Sequence, residues 1–104
     1  MKTLAISLAL FCGSVQAQFL DGNKLLQVHT SDRPSAIYYV MGVHDGLSNI
    51  TICSPLNITG GQITDMVMQF INTTPAIRHQ GADAIVSHVL SNMWPCKKAT
   101  GTSV

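Results

Sequence analysis

The sequence predicts an all-α protein: a small four-helix domain closed by one disulfide after a signal peptide is removed. Three observations predict it. Apolar residues recur at helical spacing through the second half of the chain, and no stretch reads as a strand. Capping and turn residues stand where each helical run should begin or stop. Two cysteines, Cys53 and Cys96, remain once the leader is set aside.

The chain has 104 residues. Lys2 opens it with a positive charge, and Leu4 to Cys12 is apolar. That run is far shorter than the roughly 20 residues a bilayer span needs. Val15-Gln16-Ala17 then offers the small residues that a signal peptidase reads. A lipidated Cys12 is disfavoured because bulky Phe11 precedes it. The expected boundaries are a signal peptide at 1–17, a helical domain at 18–96 and a loose polar tail at 97–104. The product is expected in the periplasm or outside the cell, with no membrane anchor after processing.

Without Lys2, five basic residues face five aspartates, and there is no glutamate. Charge near zero argues against nucleic acid or an anionic membrane as partner. Two cysteines in an exported chain read as one disulfide rather than as a Cys–His catalytic pair. No cofactor is implied.

The first helix is expected over about Gly22 to His29, with Asp21 as its N-cap. Ser31-Asp32-Arg33-Pro34 signals a turn. The second helix should run from Pro34 or Ser35 to Leu47, with Ala36, Val40, Val43 and Leu47 on its main apolar face. Asn49 to Asn57 is a loop holding Cys53 and Pro55. Thr59-Gly60-Gly61-Gln62 has the form of a capping box, in which each side chain satisfies an orphan amide at the helix start. The third helix follows to about Asn72, with Ile63, Met66, Val67, Phe70 and Ile71 on one face. Thr74-Pro75 ends it. The fourth runs from Gly81 to Met93, burying Ala82, Ile85, Val86, Val89 and Met93. A short connection should set helices three and four antiparallel. Cys53 before one and Cys96 after the other then meet at the same end, closing a loop worth about 4 kcal/mol.

The stretch "YYVMGVHDGLSN" at 38–49 sets His44 beside Asp45 and between two glycines. Glycine inside a helix costs about 1 kcal/mol against alanine, so packing should compensate. Adjacent helical residues do not face each other, which makes His44–Asp45 a poor catalytic dyad. His44 is expected at the edge of the core. Tyr38, Gly42 and Asp45 form a second face, a shallow groove with aromatic and acidic flanks. A helix apolar or small nearly all round is covered on both sides. In so small a domain the second cover is expected to be another subunit, giving a homodimer. His79 and Asp83 are four apart but lack a third ligand, so no metal site is expected, and no catalytic set is evident. Asn49, Asn57 and Asn72 head N-x-T sequons, which matter only in a eukaryotic secretory pathway.

The ordered set "FLDGNKLLQ", "YYVMGVHDGL", "CSPLNITGGQITDMVMQFINTTP" and "MWPC" resembles the Rap/Tai family of type VI secretion immunity proteins. The likeness covers essentially the whole mature chain. It carries over Tyr39, Gly42 and Asp45 as a helix signature, Thr59 and Gln62 as the cap, and Cys53 and Cys96 as the disulfide. Many relatives carry a second cysteine pair joining the first two helices; His29 and Ala36 stand at the matching positions here. The resemblance implies a helical, dimer-forming, non-enzymatic periplasmic protein that binds a peptidoglycan amidase effector and occludes its cleft. The Asn49–Ile58 loop is the expected contact, through Ser54, Asn57 and Ile58. Cys53 anchors that loop and Pro55 stiffens it, so it loses little entropy on binding. The alternative is a small periplasmic chaperone resembling the acid-stress HdeA type. Five aspartates and four histidines are a thin supply of titrating groups for it.

Overall fold

The computed structural model describes residues 19–97. The expected leader at 1–17 and the tail after Lys97 lie outside the described residues. The described chain forms helices α1 (Gly22–Ser31), α2 (Arg33–Leu47), α3 (Gly60–Thr73) and α4 (Ala82–Met93), with a 3-10 turn at Pro75–Ile77. Among the described residues there is no strand, only isolated bridges pairing Asp21 with Gly81, Ser48 with Ile52, and Ile52 with Pro95.

The α1 start is as expected: the Asp21 carboxylate accepts from the Lys24 amide at 2.8 Å. The helix runs past His29 to Ser31, with the Thr30 and Ser31 hydroxyls donating back to the carbonyls of Leu26 and Gln27, each at 3.1 Å. The expected four-residue turn shrinks to Asp32 alone. Its N–H donates to the Val28 carbonyl at 2.7 Å, ending α1, and its carboxylate accepts the Ser35 hydroxyl at 2.7 Å, starting α2. Pro34 fits in that first turn because an N–H there has no helical partner.

The α3 capping box is present in both halves: the Gln62 amide donates to Thr59 Oγ1 at 3.1 Å, and the Thr59 amide donates to Gln62 Oε1 at 2.9 Å. The buried face of α3 is rotated from the expected one. Ile63, Val67 and Ile71 are buried, but Thr64 and Met68 join them while Met66 and Phe70 are only half-buried. Thr64 tolerates burial because its hydroxyl donates to the Gly60 carbonyl at 2.8 Å. In α4, Met93 is exposed, against the sequence expectation, and Leu90, outside the expected stripe, is buried.

Leu25, Val40, Val67, Ile71, Val86 and Leu90, drawn from all four helices, make the centre of one core. Arg78 closes the open end of α3, donating from Nε to the Ile71 carbonyl at 3.0 Å and from Nη2 to the Asn72 carbonyl at 2.7 Å. At the junction of α1, α2 and α3, Arg33 pairs with Asp65 at 3.1 Å. His29 Nε2 approaches the same carboxylate at 3.6 Å, within ion-pair reach but too far for a hydrogen bond. Half-buried Tyr39 reaches from α2 toward the start of α4. Burial first, then the Asp83 carboxylate, raise its phenol above the ordinary tyrosine value, against the opposing pull of the Asp83 backbone N–H. The phenol therefore stays neutral.

Cys53 and Cys96 form the expected disulfide, with Cα atoms 5.0 Å apart. The Cys53 amide also donates to the Trp94 carbonyl at 2.8 Å.

Candidate functional site: a cleft between α2 and the stapled loop

After Ser48 the chain reverses at once. Asn49 adopts the left-handed conformation, with φ of 66°, which asparagine tolerates better than most residues. Its amide donates to the Ile52 carbonyl at 2.9 Å, and the Ile52 amide donates to the Leu47 carbonyl at 3.1 Å. Ile52 is thereby driven wholly into the core. The loop beyond it is held by a buried anchor, a disulfide and the α3 cap. From this frame Leu56 projects fully exposed, and Ile50 is 68% exposed.

Between the loop and α2 lies a cleft of about 260 Å³, walled by Met41, Ile58 and Ile63 and reached by His44, Ser54 and Leu56. His44 is buried at 8% exposure, in line with Ala36 and Val40 at the centre of the α2 stripe rather than at its edge. Its Nε2 lies 2.8 Å from Ser54 Oγ, and its Nδ1 lies 3.0 Å from Asp45 Oδ1. The sequence expectation that His44 and Asp45 would not meet is therefore corrected. The helical offset separates their Cβ atoms. It does not stop Nδ1, a ring atom close to the backbone, from meeting a short neighbouring carboxylate.

The carboxylate can only accept, so it assigns a proton to Nδ1 of the neutral ring. Nε2 is then an acceptor, and the Ser54 hydroxyl donates to it. Ser54 Oγ keeps its lone pairs for another donor. The order Ser54–His44–Asp45 is that of a hydrolase relay. Here Asp45 is 72% exposed, and Pro55 supplies no amide after the serine where an oxyanion would need one. The arrangement ties a loop to a helix and fixes the direction of one hydroxyl.

Among the expected contact residues, Ser54 and Ile58 line the cleft, the latter half-buried, and Asn57 is exposed on the same loop. On α2, Tyr38 is 76% exposed, Gly42 has no atom within 4 Å of where a Cβ would stand, and Asp45 is exposed. These three leave one side of α2 open. Asp45 links that side to the cleft through His44. Sequence reasoning missed His44 as a site residue, and it missed Leu56. Leu56 between Pro55 and Asn57, in a segment too irregular to bury every aliphatic side chain, was the available signal.

A second cavity of about 250 Å³ lies among Phe70, Ile77, Gln80, Ile85 and His88. Its histidine is engaged by Asn92 one turn along α4, at 3.2 Å. Among the described residues no three His, Cys, Asp or Glu side chains are grouped to hold a metal, and no helix is long and apolar enough to cross a membrane.

A family model described as Rap1a immunity proteins matches residues 9–96. Comparisons with curated proteins and with solved structures gave no match. The matched span takes in all four helices, both cysteines of the disulfide and the cleft, and the chain belongs to the Rap1a immunity protein family.

Proposed function

We propose that the protein is a periplasmic immunity protein that binds a peptidoglycan amidase delivered by type VI secretion and occludes its cleft without chemistry of its own. Family membership favours this over the acid-stress chaperone. The observation that carries the contact surface is the stapled loop: a fully exposed leucine, Leu56, on a backbone held by Ile52, Cys53 and the α3 cap. A loop already ordered before binding loses little entropy in the complex, and recognition commonly rests on loops carried by rigid scaffolds. Replacing Ser54, Asn57 and Ile58 together is expected to abolish protection in a titration against the cognate amidase. Unchanged 1:1 inhibition by the folded triple variant would remove the loop from the mechanism. Turnover of a cell-wall fragment by the protein alone would overturn the non-enzymatic reading.

The open side of α2 is read as the contact between two copies. Tyr38 offers an aromatic body, and Gly42 allows close approach of a second backbone. Gly42→Leu is expected to shift the protein toward monomer in sedimentation, while Gln69→Ala on exposed α3 surface leaves its size unchanged. A Gly42→Leu variant with wild-type size would remove this face from the dimer.

A further inference from the structure

We propose that the cleft is a receptor for one aromatic side chain of the partner, an indole, with Ser54 Oγ as the acceptor that reads its N–H. This deepens the reading of the Asn49–Ile58 loop as the partner-facing surface and rests on it. The size of the cleft argues first. At about 260 Å³ it falls just below the roughly 300–1,000 Å³ of small-molecule sites, which suits a single large side chain.

The walls argue next. Met41, Ile58 and Ile63 form an apolar side against which a ring can lie, a thioether packing well on an aromatic face, while Ser48, Asn49 and Ser54 give the cleft a polar side. His44 is the only titratable side chain among the residues lining the cleft; Asp45 stands behind it, toward solvent. A charged occupant would gain no counter-charge inside. The polar contact is directional: Asp45 holds the Nδ1 proton, Nε2 takes the Ser54 proton, and Ser54 Oγ is left to accept. An indole has one donor and no acceptor, so its N–H matches the free acceptor of Ser54 and leaves no lone pair of its own to be satisfied. Aromatic anchors that fill a central pocket are also the usual source of interface affinity.

His44 and Asp45 are positioning residues in this scheme. In Asp45→Asn the side chain no longer requires a proton on Nδ1, because its amide nitrogen can donate there, and this lets the ring proton occupy Nε2. Nε2 then donates to Ser54 Oγ, and the hydroxyl proton turns outward to oppose an N–H.

The test uses indole and 1-methylindole, which differ in the donor, titrated into the folded exported protein and followed by the methyl signals of Met41, Ile58 and Ile63. Indole is expected to bind roughly threefold to tenfold more tightly, the equivalent of one hydrogen bond. Ser54→Ala should erase that preference, and Asp45→Asn should weaken it. Equal binding of the two probes to the wild type, binding of neither, or a preference that survives Ser54→Ala overturns the proposal. The probes need no effector, so the two readings fail separately. A preference for indole beside unchanged neutralisation by the loop variant removes only the partner-facing reading. No preference beside lost neutralisation removes only the receptor.

Discussion

Replacing Cys53 and Cys96 together by alanine is expected to lower stability by about 4 kcal/mol. In a domain of this size that is a fall in Tm of roughly 15–30 °C. The disulfide joins residues 43 apart in sequence, and all of α3 and α4 lies inside the closed loop. Reduction therefore frees half the fold in the unfolded state, where the entropy gain is largest. The native state loses little else, because the Cys53 amide still reaches Trp94 and Ile52 stays buried. A small core has little reserve to offset such a loss. Thermal melts of the double variant and of the reduced wild type should coincide. A loss under about 1 kcal/mol would mean that the packing around Ile52, not the covalent bond, holds the two segments together.

Gly22→Val is expected to cost about 3 kcal/mol or more, at the upper end of what overpacking does. A Cβ at this position would lie 2.9 Å from the Arg78 carbonyl oxygen and 2.9 Å from Ile85 Cδ1. The first obstacle is backbone, and it is pinned: the Asn23 amide donates to that same oxygen at 3.0 Å. The neighbouring strip cannot retreat without losing the bond that seats α1. Gly61→Ala is the control, since its Cβ would meet only the far end of the half-exposed Arg33 side chain, at 3.4 Å. It is expected to change stability by no more than about 0.5 kcal/mol. Chemical denaturation of both variants separates close packing at one glycine from a general effect of filling glycines. Equal stability of Gly22→Val and the wild type would show that α1 can sit elsewhere.

Where a local rule had one solution, the sequence was legible. Thr59 and Gln62 form a reciprocal cap that depends on four consecutive residues, and the disulfide followed from cysteine count and a short connection. The contents of the helical faces were less legible. Periodicity finds an apolar stripe, but its centre depends on how neighbouring helices are rotated, so Met68 replaced Met66 at the core and Leu90 replaced Met93. His44 was placed at the edge for the same reason. Its partner Ser54 lies ten residues on, across a reversal made by Asn49. No spacing rule connects the two. Half of the candidate site, the loop with Ser54, Asn57 and Ile58, was visible as an irregular segment. The cleft was not, because it exists only when that segment folds back over α2.

Both sides of the described chain are stitched to its interior. Ala82 donates to the Leu20 carbonyl at 2.8 Å and Gly22 to the Gln80 carbonyl at 3.1 Å, while Cys53 is joined to Trp94 and Cys96. Small domains usually begin to fray where their outermost elements have no tertiary partner. Here a peptidase trimming inward from either side meets a hydrogen-bonded bridge before it meets a helix. Trimming past those bridges requires them to open, so it follows the stability of the packed domain rather than fraying of its outermost residues.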